Sequence, residues 1–355
     1  MNKKIGAALP GLLPLVILIV AEWFWGLKAG LWLAVAFGAG ELLWHGLRHR
    51  RFEKRILFEM ALLVALGVVA LLMDGSVLER LRPTFYLLLM LVMVGVSAFS
   101  KYNFLMMASG RLHKNRRFGP WEMMQMRLTM QTFFWVMAVY MAMLLVAVFL
   151  LDTRIETFLN TTGLYLYFGL ALTALFIFKR IQSKSYAKEE WLPLLDEDGN
   201  INGHAPRSVV HNGTTQWLHP VVHLQVLKDG GLWLQKRPMH KLVQPGKWDT
   251  AVGGHLAAGE SLDVSLQREA AEEIGIEINN AQLLGRYVWK SSIEQEMVFA
   301  YLAHYNGTIT PHPEELDGGR VWTFQEIEEA LGTGVLTPNF EHEYQLFRHR
   351  LQTLK

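Results

Sequence analysis

The chain has 355 residues, enough for two or three ordinary domains, and a formal net charge of +2 at pH 7. This charge is too small to indicate binding to nucleic acid, and we expect no nucleic-acid partner. Cysteine is absent, which excludes disulfides, thiolate metal sites and thiol nucleophiles. Composition also divides the chain, because apolar stretches dominate residues 1–181 whereas residues 190–355 have the mixed composition of a soluble domain.

The N-terminal part consists of apolar segments separated by short polar loops. About 20 residues of α-helix cross a hydrocarbon core of about 30 Å, so the pattern predicts an all-α transmembrane bundle of about six helices over residues 1–181. The segments lie at roughly 7–25, 30–47, 56–73, 83–99, 130–151 and 156–178. The bundle makes the lipid bilayer an expected partner.

Basic residues are concentrated in alternate loops of this part. They cluster at 48–55, 101–127 and 179–188, whereas the loops between them are mixed or acidic. Because lysine and arginine are enriched in cytoplasmic loops, we expect both termini and the C-terminal domain to lie in the cytoplasm.

Short motifs in this part resemble a known membrane family. They are Leu12–Val16, the acidic and aromatic cluster Glu22–Trp25, Arg82–Thr84 and the basic loop ending in Trp121. Over roughly residues 8–181 they look like the bacterial inner-membrane YciB family, also called intracellular septation protein A. That resemblance implies a multi-pass protein of the inner membrane with a role near the cell envelope, but it implies no chemistry.

A polar linker at 182–189 joins this part to the domain at 190–355 and is too short to carry it far from the bilayer. Strands and helices then alternate, which predicts an α/β fold with a mixed sheet sandwiched between helices. Predicted hairpins pair Trp191–Leu195 with Ile201–Ala205, and Val221–Val226 with Leu232–Gln235. Further predicted elements are a helix at Ser261–Ile274, a strand at Glu296–Tyr305, and helices at Phe324–Leu331 and Phe340–Leu354.

Acidic residues on the Ser261–Ile274 helix form the most informative pattern in the sequence. Glu269, Glu272 and Glu273 are three and four residues apart, so they share one helix face and repel one another. A divalent cation removes that repulsion, and carboxylate oxygens suit Mg²⁺ or Mn²⁺. We expect Arg268 to pair with Glu260. The alternative is an ordinary solvated acidic helix face.

The spacing of these residues resembles the Nudix box, G-x5-E-x7-R-E-U-x-E-E-x-G-U. Its structural positions fall on Gly254, Glu260, Arg268 and Gly275. The resemblance implies a Nudix fold in which Glu269, Glu272 and Glu273 bind metal and carry the catalysis. It also implies that the carbonyl of Gly253 ligates the metal, and that a metal-activated water cleaves a diphosphate linkage.

A second segment, Trp248–His255, resembles isopentenyl-diphosphate isomerases, which have the same fold. Those enzymes hold a metal with three histidines and two glutamates, and matching positions exist at His211, His219, His255, Glu294 and Glu296. Their catalytic cysteine falls on Gly253, however, so the proton transfer of an isomerase would lack one acid/base partner here. We therefore expect a hydrolase. The alternatives are an isomerase-like enzyme and a non-catalytic diphosphate sensor serving the membrane part.

The remaining candidates concern the base and the substrate. Glu294 or Glu296 is expected to act as general base or extra metal ligand, with Glu314 and Glu315 as competitors. Residues expected to contact the substrate are Lys236, Arg237, Lys241 and Trp248. The substrate class is a nucleoside diphosphate linked to another group, or an amphiphilic, prenyl-type diphosphate. The alternative is that the candidate histidines are structural and that the candidate charged residues are solvated surface groups.

Overall fold

The computed structural model describes residues 13–49, 76–100, 118–241 and 243–353, together with residues 61, 64, 65 and 68. The chain divides into two compact units. One unit comprises Met1–Arg117 and Glu122–Gln182, and the other comprises Phe118–Trp121 and Ser183–Lys355. This division follows the change in composition near residue 182.

Helices account for most of the first unit that the structure describes. Its helices are α1 Leu13–His49, α2 Ser76–Phe99, α3 Pro120–Leu150, α4 Thr153–Phe158 and α5 Leu164–Tyr186. Gly26, with a φ of 79°, interrupts the helical conformation inside α1 and thereby separates the first two predicted segments. A π-helical turn at Leu159–Gly163 joins α4 to α5.

Two stretches of the described residues are long and apolar enough to cross a membrane. They are Pro120–Leu150 and Thr153–Tyr186. Most of the third predicted segment, 56–73, and the basic loops at 50–55 and 101–117 lie outside the described residues. The bundle of about six helices and its orientation therefore stay predictions.

The second unit contains a mixed sheet, as predicted. Its strands are β1 Trp191–Leu195, β2 Ile201–Pro206, β3 Leu218–Lys228, β4 Gly231–Lys236, β5 Trp248–Asp249, β6 Val252–His255, β7 Gln282–Lys290, β8 Gln295–His304 and β9 Gly319–Trp322. Strands β1 and β2 form a separate hairpin, while the other seven form one sheet in the order β5-β4-β3-β8-β7, with β6 pairing β3 and β9 pairing β4. Strands β3 and β8 run parallel, and the other pairs are antiparallel.

Helices α7 Leu262–Ile274, α8 Phe324–Ala330 and α9 Pro338–Thr353 cover the faces of this sheet. The short helix α6 Arg207–Val210 packs against the β1–β2 hairpin instead. Leu266 and Ile274 of α7 belong to one buried apolar cluster with Val222, Leu224 and Val226 of β3. Phe340 and Tyr344 of α9 are fully buried in a second cluster with β4 and β8. Because successive strand residues face opposite sides of the sheet, β3 contributes side chains to both clusters.

Local signals in the sequence set the ends of the elements that carry the site. Asp229 and Gly230, at φ 50° and 80°, form the tight turn between β3 and β4. The Ser261 side chain accepts a hydrogen bond from the Val264 N–H and begins α7. Gly275, at φ 66°, ends the helix in the left-handed conformation. The register of the acidic residues on α7 follows from these two ends.

Candidate active site

A cavity of about 880 Å³ in the second unit brings together side chains from many parts of the sequence. Acids from α7 and β8 line it together with histidines, basic residues and Gly253. Among its lining residues are Glu269, Glu272, Glu273, Glu294, Glu296, His211, His223, His255, Arg237 and Lys241. Most of the predicted site residues therefore face one space, although they are up to 85 positions apart (296 − 211).

Arg268 organises the acidic side of the cavity. Its guanidinium makes two hydrogen bonds of 2.9 Å to the carboxylate of Glu260, which confirms the predicted pair. The same side chain lies 2.8 Å from Glu269 and 3.1 Å from Glu272. The hydrogen bonds with Glu260 contribute most to raising the pKa of Arg268, so the guanidinium is charged throughout the accessible pH range. Its fixed geometry positions two of the three box carboxylates.

The two inner carboxylates of the box are largely buried. Glu273 accepts hydrogen bonds from the backbone N–H of Gly253 at 3.2 Å and from Gln235 at 3.4 Å. Burial, with a smaller effect from the charge of Glu269, raises the pKa of Glu273 to about 8. Burial also raises the pKa of Glu269, against the opposing charge of Arg268. Both groups are costly to ionise in the absence of a cation, as expected of metal ligands.

Glu272 differs from its two neighbours, since its side chain is 58% exposed. The three box acids line one cavity, but their oxygens do not form a group as tight as the histidine cluster described next. In the part of the chain that the structure describes, one group of three or more potential ligands has all its atoms within 4.8 Å of one another. That group is formed by His211, His219, His255 and Glu294.

The nitrogens of this cluster point toward a common centre. His211 Nε2 lies 3.3 Å from His219 Nε2 and 3.1 Å from the Glu294 carboxylate. His219 Nδ1 lies 3.1 Å from the Trp217 carbonyl, so its N–H is directed there and its Nε2 lone pair faces the cluster. Nε2 of His255 is buried without a hydrogen-bond partner among the described residues. A metal ion at this centre would be coordinated by all of these atoms at once.

The electrostatics of the cluster fit a metal site. Burial first, then the neighbouring His219, lowers the pKa of His211 to about 3. Burial lowers the pKa of His219 to about 4 and takes the pKa of His255 well below its usual value. The three imidazoles are therefore neutral at neutral pH, with lone pairs available for coordination. Imidazole nitrogens suit Mn²⁺, Zn²⁺ or Fe²⁺ better than Mg²⁺, which prefers oxygen.

Glu296 lies beside this cluster but outside the tight group. It is buried on β8, where its carboxylate lies 3.4 Å from the amide of Asn339. Burial, followed by the charge of Glu294, raises the pKa of Glu296 to about 8. A carboxylate with a pKa near the working pH can accept and return a proton.

The predicted substrate residues separate into two sets. Arg237 and Lys241 line the cavity, where Arg237 lies 3.1 Å from Asp249 and Lys241 lies 2.9 Å from Glu315. Lys236 is not among the lining residues, because it alternates along the chain with Gln235 and Arg237, which are. Of the two competing acids, Glu315 lines the cavity and Glu314 does not.

Trp248 is likewise outside the cavity, which corrects the prediction that it contacts the substrate. Its ring packs 5.3 Å from that of Trp322 and beneath the guanidinium of Arg320. The neighbouring Asp249 lines the cavity instead, since adjacent strand residues point to opposite faces.

Some lining residues were not predicted from the sequence. Buried Gln235 and Asp249 contact the predicted acids and bases, and Asn339 reaches the cavity from the start of α9. Behind the cavity wall, the fully buried Glu343 of α9 binds His223, which is 120 positions away. No local spacing connects these residues, so the sequence carries no motif for them.

Comparison with known proteins agrees with this geometry. The family model described as NUDIX domain matches residues 217–341. The isopentenyl-diphosphate Delta-isomerase of Agromyces mediolanus is 33% identical over 134 residues, covering 36% of this chain and 65% of the relative. That of Mycolicibacterium vanbaalenii is 30% identical over 153 residues, covering 41% and 83%. The NAD-capped RNA hydrolase NudC of Vibrio atlanticus is 28% identical over 120 residues, covering 34% and 42%.

Proposed function

The chain belongs to the Nudix family, and we propose that its C-terminal unit hydrolyses a diphosphate linkage while apolar helices of the N-terminal unit hold it at a bacterial inner membrane. One observation carries the hydrolase proposal. The complete acidic box on α7 lines the same cavity as Arg237 and Lys241, two cations suited to phosphate oxygens. The acids proposed to bind metal and the cations proposed to bind phosphate therefore line the same cavity.

The predicted acids of the cavity have separate roles in this proposal. Glu269, Glu272 and Glu273 would hold Mg²⁺ or Mn²⁺ together with the carbonyl of Gly253. When bound, the ion polarises the phosphoryl group and lowers the pKa of a coordinated water. Glu296, whose pKa lies near 8, accepts a proton through its carboxylate oxygen as water attacks one phosphorus, and the bridging P–O bond breaks with its electron pair on the departing phosphate.

The histidine cluster favours a second candidate function, an isomerase-like proton transfer. It contains four of the five ligands implied by the resemblance to isopentenyl-diphosphate isomerases, and such enzymes are among the relatives. Gly253, however, has no thiol, and the chain has no cysteine that could supply one. Hydrolysis needs no such group, so it remains the preferred function. A sensor that binds a diphosphate without turning it over is the third candidate.

The test is turnover by the full-length chain, purified in detergent micelles, with Mg²⁺ and a panel of nucleotide sugars, dinucleotides and prenyl diphosphates. We expect hydrolysis of at least one member and its loss in Glu273→Gln. The matched control is Glu277→Gln, which changes an exposed acid outside the cavity on the same stretch of chain. Tight binding without turnover would favour the sensor, and rearranged isoprenoid product would favour the isomerase.

The membrane part motivates a narrower proposal about the substrate. The predicted linker at 182–189 is short, and its residues through Tyr186 are the end of α5, so an amphiphilic diphosphate in the inner leaflet would meet the cavity at high local concentration. We expect kcat/KM for a prenyl diphosphate in mixed micelles to exceed that for a nucleotide sugar. Faster cleavage of nucleotide sugars would contradict this choice of substrate and leave the hydrolase proposal intact.

A further inference from the structure

His223 lies in the cavity wall but does not belong to the histidine cluster. It is in the middle of β3, where its neighbours across the sheet are Gly253 on β6 and Ala300 on β8. Both neighbours are small, so the imidazole has room to lie along the sheet. Its side chain is 9% exposed, and that exposure faces the cavity.

The inner edge of this imidazole is bound by a buried carboxylate. Nδ1 of His223 lies 2.7 Å from Glu343, whose side chain is fully buried. Glu343 also accepts hydrogen bonds from Gln225 at 2.5 Å and from the Tyr287 hydroxyl at 2.8 Å. Three donors thus converge on one carboxylate, an arrangement that stabilises its ionised form.

A buried ionised carboxylate requires a counter-charge. Among the described ion pairs His223 is the partner of Glu343, so the imidazole is the cation that balances it. The pKa values agree with this geometry. Burial alone would lower the pKa of His223, but the charge and hydrogen bond of Glu343 raise it to about 9. Burial alone would raise the pKa of Glu343, yet the charge of His223 and the three hydrogen bonds bring it below its usual value.

The outer edge of the imidazole is directed at the space beside Gly253. Nε2 and Cδ2 of His223 each lie 3.6 Å from the position that a Cβ atom on residue 253 would occupy. Because residue 253 has no side chain, this edge is open to the cavity. The backbone N–H of Gly253 binds Glu273, so the open space adjoins a carboxylate of the acidic box.

We propose that His223 is a substrate-binding residue whose Nε2–H donates a hydrogen bond to a phosphate oxygen of the diphosphate lying over Gly253. A charge-assisted hydrogen bond of this kind holds an anionic group more strongly than a neutral donor does. The inference rests on the proposed function, because it takes a diphosphate as the ligand. Glu343 acts as a positioning residue, since it orients the ring and does not reach the substrate.

Binding is measured without turnover to test this inference. The ligand is methylenediphosphonate, in which a methylene group replaces the bridging oxygen, so that Nudix hydrolysis cannot cleave it. Calorimetry measures its binding to the full-length chain in detergent with Mg²⁺. We expect His223→Gln to weaken binding about ten- to hundredfold, the range for loss of a charged hydrogen bond. The matched control is His304→Gln, an exposed histidine outside the cavity, which should bind as the unaltered chain does. A change of less than about twofold in His223→Gln would overturn the inference.

Gly253→Ala tests the geometry independently of charge. Its Cβ would meet His223 at an ordinary contact distance, so the substitution fits, but the methyl group would stand between Nε2 and the cavity. We expect it to weaken binding as His223→Gln does, and we expect the double variant to be no weaker than either single one. Additive effects would show that the two residues act separately and would overturn the inference.

A loss of folding in His223→Gln must be distinguished from a loss of binding, because the change leaves Glu343 without its cation. The double variant His223→Gln, Glu343→Gln replaces the ion pair by two amides and keeps the hydrogen bonds possible. Unchanged thermal unfolding with weak binding supports the inference, whereas normal binding overturns it. If the unaltered chain binds methylenediphosphonate through His223 but hydrolyses nothing, the hydrolase proposal fails while the binding site stands.

Discussion

Gly254 offers a sharp test of the packing that holds the acidic box in place. A Cβ atom on this residue would overlap Cγ, Cδ and Oε1 of Glu269, closer than any real Cβ contact. Gly254 is outside the left-handed region of backbone conformation, so alanine is compatible with the backbone itself. In Gly254→Ala the carboxylate of Glu269 must therefore rotate away.

The expected loss of stability follows from the interactions that Glu269 would lose. Its side chain is 13% exposed and forms an ion pair of 2.8 Å with Arg268. Loss of a charge-assisted hydrogen bond costs about 1.5–3 kcal/mol, and an off-rotamer side chain about 0.5–1.5 kcal/mol. We expect a total of about 2–4 kcal/mol, or a fall in Tm of roughly 4–16 °C for a unit of this size. Removal of a metal ligand should also weaken Mg²⁺ binding.

The assay is thermal unfolding of the full-length chain in detergent, followed by tryptophan fluorescence, in a double-mutant cycle. Gly254→Ala should lower Tm in the unaltered chain but have little effect in a Glu269→Ala background, where nothing remains to overlap. An equal fall in Tm in both backgrounds would refute the reasoning, because the strain would then lie in the backbone and not in Glu269.

Two further predictions concern protons. Because the pKa of Glu273 is raised to about 8, Mg²⁺ should displace a proton on binding, and its apparent affinity should rise with pH up to about 8. Calorimetry in two buffers of different protonation enthalpy measures this release. The pKa of His219 is lowered to about 4, so between about pH 6.5 and 4 the unfolded chain binds a proton that the metal-free folded chain does not. Stability in EDTA should therefore fall as the pH drops through this range, by up to about 3 kcal/mol for this residue.

Each proton prediction has a control. Glu273→Gln should remove the buffer dependence of the Mg²⁺ signal, and an affinity that is constant with pH in the unaltered chain would contradict the assignment. His219→Gln should reduce the dependence of Tm on pH and leave the contributions of His211 and His255, whose pKa values are also lowered. A Tm in EDTA that does not change between about pH 6.5 and 4 would show that the imidazole is charged in the folded state.

Several elements of the C-terminal unit could be predicted from the sequence because short-range physics determines them. The spacing of Glu269, Glu272 and Glu273 determines a common helix face, whatever lies opposite. Asp229 and Gly230 favour the tight turn that pairs β3 with β4. The mixed sheet between helices and the pairing of Arg268 with Glu260 also follow from local pattern and are confirmed.

Other features depend on contacts between distant parts of the chain. Trp248 was misplaced because the short strand β5 gives no alternation from which to decide which face is buried. The parallel pairing of β3 with β8 brings His219 opposite Glu296, although no motif spans the residues between them.

The sequence by itself determined the acidic helix, its ends and the family resemblance, since each depends on residues within a few positions of one another. Only the tertiary structure decided that Glu296 lies outside the tight group formed by three histidines and Glu294, and that Glu343 binds His223. The reason is physical. A buried carboxylate on α9 requires a cation as its counter-charge. The sheet places that cation opposite the carboxylate only in the packed fold.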